Sequence, residues 1–144
     1  MIEPASTVQA PANPSHTRAV LASQSSDSVV LSVPGTSYQL HLGVYQPLSA
    51  HIGKTVIGAI RAQARRIDVV RTGGKYIEPV YGRPRRIQGT IVAIDPADQT
   101  VTIDATVPFV CRTDGRQRAE QFTVGQFVAC DVAPGASFVP ASSA

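Results

Sequence analysis

Along much of this chain, hydrophobic and polar residues take turns. Val29, Leu31 and Val33 occupy every second position of "VVLSV", and Val101, Ile103 and Ala105 do the same in "VTIDA". A period of two is the signature of a half-buried strand. Further short apolar runs follow the same habit: "SYQLHLGVY", "KTVIGAI", "GTIVAI", "VPFVCRT" or "AEQFTV", and "QFVACDV". Polar turns such as "SQSSDS" and "DPADQT" separate them, and Asp and Pro suit turns through local side-chain bonds and a fixed φ. One stretch, "GAIRAQARRI", has helix-forming composition. It is flanked by Gly58 and the β-branched run "IDVV", and the corresponding place later in the chain holds Pro134 and Gly135, which disrupt helices. It reads as strand, and the pattern predicts an all-β chain.

The pattern also repeats. "RAVLASQSSDSVVLSV" (Arg18–Val33) resembles "GTIVAIDPADQTVTIDA" (Gly89–Ala105), with Val20 and Leu21 answering to Ile91 and Val92. At an offset of 72, "IGKTVIGAI" (Ile52–Ile60) falls on "VGQFVACDV" (Val124–Val132), so that Gly53 meets Gly125 and Val56 meets Val128. A period of this length points to a duplicated supersecondary unit. Four or five short antiparallel strands per copy, closed around a small apolar core, resemble the OB-like small barrels. That resemblance implies a fold and transfers no function, because such barrels host many. A single larger barrel or sandwich made from both copies fits the same pattern. The expected organisation is a disordered tail over 1–15, a first barrel repeat over 16–66, a basic β-hairpin or linker over 67–86, a second repeat over 87–139, and a disordered tail over 140–144.

Composition agrees with this reading. The 144 residues allow one ordinary domain or two small ones, and the eleven Gly and eleven Pro suit many strands joined by turns. No apolar run is long enough to span a bilayer, and the start lacks the basic and apolar regions of a secretory signal, so the expected compartment is the cytoplasm. Cys111 and Cys130 are expected as buried thiols on strands of one copy, close enough to be neighbours.

Charge adds the one functional cue. Residues 61–86 hold eight of the thirteen Lys and Arg residues against Asp68 and Glu78, while the rest of the chain is weakly acidic. Such polarity steers anionic partners. Within the segment, β-rich runs flank Gly73 and Gly74, a hairpin signal. The candidate contact residues are Arg61, Arg65, Arg66, Arg71, Lys75, Tyr76, Tyr81, Arg83, Arg85 and Arg86. Arginine bonds phosphate through two donors and tyrosine stacks on bases, which is what nucleic-acid binding requires. The alternative is a structural or assembly protein whose hairpin docks on another subunit, as a homo-oligomer or with a partner protein, with Arg stems covering apolar surface.

No catalytic pattern accompanies the segment, and an enzyme is not expected. His16, His41 and His51 are scattered without metal-binding spacing, and His41 reads as a solvent-facing strand residue. Asp95 and Asp98 read as turn chemistry, the serines of "SQSSDS" have no His to activate them, and "RTGGK" lacks the longer spacing of a phosphate loop. Neither a cofactor nor a metal is called for.

Overall fold

The structure is a computed structural model that describes residues 13–141. Eleven strands pair into one sheet: β1 (Thr17–Gln24), β2 (Ser28–Ser32), β3 (Gln39–Gly43), β4 (Thr55–Val69), β5 (Tyr76–Glu78), β6 (Tyr81–Gly82), β7 (Arg86–Asp95), β8 (Thr100–Asp104), β9 (Pro108–Arg112), β10 (Phe127–Val132) and β11 (Ser137–Pro140). A 3₁₀ turn over Ala119–Gln121 is the one helical element among the described residues, so "AEQFTV" is not a strand. The expected all-β class is the one the chain adopts, and "GAIRAQARRI" lies inside β4.

The fifteen-residue β4 is the spine. Alternation explains its length: Val56, Ile60, Ala62 and Ala64 are buried on one face, and no Pro or turn residue interrupts them. Its first half pairs with β1 on one edge and β11 on the other. Further along, β9 and β10 take those two edges. Opposite β10, the three steps from Ala64 to Ile67 face the two from Val132 to Cys130. The extra residue is a bulge, and both Arg65 and Arg66 turn outward there.

Following the pairings gives two circuits that return to their start. One runs β1–β2–β3–β11–β4 and back to β1, with β3 and β11 parallel. The other runs β7–β8–β9–β4–β10 and back to β7, with β9 and β4 parallel. Each circuit takes one strand from the other half of the chain. In the first strand of each, a buried residue faces its neighbour and is followed by a bulge: Leu21 faces Leu31, and Ile91 faces Ile103. Leu21 therefore corresponds to Ile91, one place away from the sequence alignment. Val29, Leu31, Val33, Val101 and Ile103 are all buried, and residues of both circuits join one hydrophobic cluster.

Two expectations are corrected here. The boundary at 66/67 falls inside β4, and the arms flanking Gly73 and Gly74 do not pair with each other. Instead β5 pairs with β7 and β6 pairs with β3. The reason lies at Ile67, whose N–H and carbonyl are both engaged by the Gln117 side chain, at 2.8 and 2.9 Å. That amide occupies the edge a hairpin arm would need, while β10 holds the other edge. Gly73 nonetheless has a positive φ of 119°. Of the expected tails, residues 1–12 and 142–144 lie outside the described residues. Ser15 bonds Thr102 (Oγ–Oγ1, 2.8 Å), and Pro140 closes β11 opposite Gly58.

Candidate nucleic-acid interface

The basic segment first has a structural task. Its backbone stitches the two circuits together: β5 lies on β7, and the Val80 carbonyl accepts from the Gln39 N–H of β3 at 2.9 Å. The Arg85 N–H donates to Glu78 O at 2.7 Å, and the Arg85 carbonyl accepts from Val132 N–H at 2.8 Å. Ile77 is buried, and its N–H donates to the Tyr38 hydroxyl. The segment's main chain is thus fixed along Tyr76–Arg86 whatever its side chains do.

Those side chains divide into two sets. Several candidates are engaged within the protein. Arg61 bonds Asp98 at 2.9 Å, and Arg112 shares the same carboxylate at 3.6 Å. Arg66 pairs with Asp68, and Lys75 reaches Asp104 at 2.8 Å. Arg86 donates from Nε to the Tyr76 hydroxyl at 3.1 Å and from Nη1 to Asp131 at 2.9 Å. Those two bonds, the one to Tyr76 foremost, raise the Arg86 pKa above its ordinary value. Tyr76 is half-buried and tied by its hydroxyl, so it does not present a free ring for stacking.

Arg65, Arg71, Arg83 and Arg85 are exposed and form no ion pair among the described residues. Three of them converge. Arg65 from the β4 bulge meets Arg83 and Arg85, from the run into β7, around a cleft of about 400 Å³ walled by Pro84, Val132 and Pro134. Asp131 also lines it, but that carboxylate is already bound to Arg86. Three arginines with no ion pair of their own against one carboxylate that Arg86 already holds concentrate positive charge at this hollow, which favours an anion there. Arg71 does not line this cleft.

Tyr81 is 64% exposed, and its ring meets His41 edge to face, with centroids 4.5 Å apart and planes at 78°. His41 is therefore not the solvent-facing residue expected: its Nε2 is covered and has no hydrogen-bond partner. Sequence reasoning passed over this contact because β6 pairs with β3 across forty residues of chain.

Cys111 and Cys130 are buried free thiols. The neighbouring Cys130 thiol, and then burial, push the Cys111 pKa well above its usual range. No cluster of three metal-binding side chains exists among the described residues, and none of their helices is long and apolar enough to cross a membrane. No protein family, curated protein or solved structure matches this chain.

Proposed function

We propose that this is a non-enzymatic nucleic-acid-binding protein, made of two OB-like units with exchanged strands, that holds phosphate groups in the cleft of Arg65, Arg83 and Arg85. The two pairing circuits support the first part. Each has five strands, the third along the circuit is parallel to the fourth, and that fourth comes from the other half: β11 in one, the end of β4 in the other.

The observation that carries the second part is an internal control. Counting from the corresponding residues Leu21 and Ile91, Arg83 and Arg85 match Asn13 and Ser15, with Pro84 matching Pro14. By the strand pairings, Phe138 opposite Ile60 answers to Ala64 opposite Val132, so Arg65 matches Val139, and the 72-residue offset matches Asp131 to Ala59. Asn13, Ser15 and Ala59 line a hollow of their own, whose charged residues Arg61, Asp95 and Asp98 stand at other positions, as Arg83, Arg85 and Asp131 line theirs. Uncharged residues satisfy the fold at the counterpart positions, so packing does not require arginine there. Charge concentrated where structure does not demand it is a binding feature.

The assembly alternative draws on the stitched backbone of Tyr76–Arg86. That docking is already satisfied within the chain, and it leaves the three arginines unexplained.

The test is fluorescence anisotropy of wild type against labelled oligonucleotides at low salt, beside the triple variant Arg65→Gln, Arg83→Gln, Arg85→Gln. Wild type is expected to bind, and the triple variant to lose most of its affinity at unchanged stability. Wild type that binds no oligonucleotide, or a triple variant that breaks an oligomer, would transfer the segment to the assembly reading.

A further inference from the structure

Resting on the phosphate reading, we infer that the cleft takes single-stranded rather than duplex nucleic acid, with a base stacked on Tyr81 while its phosphates lie among Arg65, Arg83 and Arg85. Tyr81 precedes Arg83 by two residues, so their Cα atoms are at most about 7 Å apart. Tyr81, Arg83 and Arg85 are exposed, whereas the intervening Gly82 and Pro84 are half-buried and buried. Tyr81 is not part of the cleft lining, but along the chain an exposed aromatic residue thus stands at one end of a run of free cations.

The ring is also held. Its edge-to-face contact with His41 fixes it, and β6 anchors its backbone to β3 through Tyr81 opposite Gln39. A fixed ring with an open surface loses little freedom when a base stacks on it, and every base has a face to offer. In a duplex the bases stack on each other, and their faces are not available.

Geometry argues the same way. Duplex DNA presents phosphates on both sides of grooves about 6 and 12 Å wide, usually read by a helix or a ribbon laid in the groove. Here three of the four free arginines converge on one notch of about 400 Å³ instead of forming two rails. The other prominent tyrosine does not offer the same combination. Tyr45 is 94% exposed, but the arginines lining its hollow, Arg61 and Arg112, are both held by Asp98.

The experiment measures anisotropy of fluorescein-labelled 12-mers at one salt concentration: single-stranded DNA, the same sequence as RNA, and a 12-base-pair duplex. Both single strands are expected to bind at least ten-fold tighter than the duplex. Between them, the tighter strand identifies DNA or RNA as the natural source of the phosphates. Tyr81→Leu, which keeps bulk but removes the ring, is expected to weaken single-strand binding roughly ten-fold without changing its salt dependence. Tyr81→Phe is expected to bind like wild type, and thermal unfolding of both variants shows that the fold is intact. Should Tyr81→Leu unfold, the duplex comparison in wild type decides alone. Equal or tighter duplex binding, or a folded Tyr81→Leu with undiminished affinity, overturns this inference; the phosphate reading then stands if the arginine variant still loses binding. Absence of binding to all three oligonucleotides removes both.

Discussion

Gly53 and Gly125, 72 residues apart, occupy the same place in the two halves of the protein. Each has a positive φ, 92° and 102°, and each donates its N–H to the carbonyl of a buried first-strand residue, Gly53 to Leu21 at 2.7 Å and Gly125 to Ile91 at 2.8 Å. The bond is returned one residue later. Leu21 N–H reaches Lys54 O, and Ile91 N–H reaches Gln126 O, both at 2.9 Å. The chain enters β4 and β10 through the same turn, and Ile52 and Val124 just before it are both left 56% exposed.

A side chain at either glycine would meet nothing within 4 Å. Alanine there is strained by backbone conformation alone, at about 1–2 kcal/mol. Gly53→Ala and Gly125→Ala are expected to lower unfolding stability by similar amounts in urea titrations. A loss confined to one site would break the correspondence.

Close approach governs Gly58 instead. A Cβ there would strike the Val139 carbonyl, with Phe138 Cζ at 2.7 Å and Pro140 Cα at 2.8 Å, so β11 would have to move. Gly58→Ala is expected to destabilise by roughly 1–3 kcal/mol. Gly74 has open space and no positive φ, and Gly74→Ala is expected to stay within about 0.5 kcal/mol of wild type in the same titration.

The division of the basic side chains can be read directly. Arg61→Gln and Lys75→Gln remove half-exposed ion pairs, for an expected stability loss of about 0.2–1 kcal/mol each, with oligonucleotide affinity nearly unchanged. Asp131→Asn removes the one carboxylate lining the arginine cleft and is expected to raise affinity several-fold in anisotropy titrations.

The Cys130 thiol, and then burial, raise the Cys111 pKa, which favours the neutral thiol in the folded state. The unfolded thiol ionises near pH 8.5. This contribution to stability is therefore full below that pH and declines as pH rises above it. Urea midpoints are expected to fall in that direction and to recover partly in Cys111→Ala. Neither thiol is expected to react with a thiol reagent until the protein unfolds.

Much of the strand pattern was legible because side-chain alternation records burial on one face. Val29, Leu31 and Val33, with Val101 and Ile103, needed no structure to place them. Strand exchange was not legible, since β4 passes from one circuit to the other between Gly58 and Ala64, where its alternation is unbroken, and partner choice there is made by backbone groups. The hairpin at Gly73–Gly74 failed for a related reason: a single glutamine side chain fifty residues away, Gln117, satisfies the edge at Ile67. Of the ten site residues, sequence revealed the concentration of charge. It could not separate the engaged members, such as Arg61 beside Asp98, from Arg65, Arg83 and Arg85, because ion pairing depends on which loops meet.

The central claim is that three arginines touch phosphate and are otherwise dispensable. The most direct measurement is the slope of log K against log salt for a single-stranded 12-mer, in wild type and in the Arg65→Gln, Arg83→Gln, Arg85→Gln variant. Three phosphate contacts at about 0.7 each correspond to a wild-type slope near −2, which the variant is expected to flatten toward zero while its urea midpoint stays unchanged. An unchanged slope in the variant, or a fall in its stability with binding intact, would contradict the account.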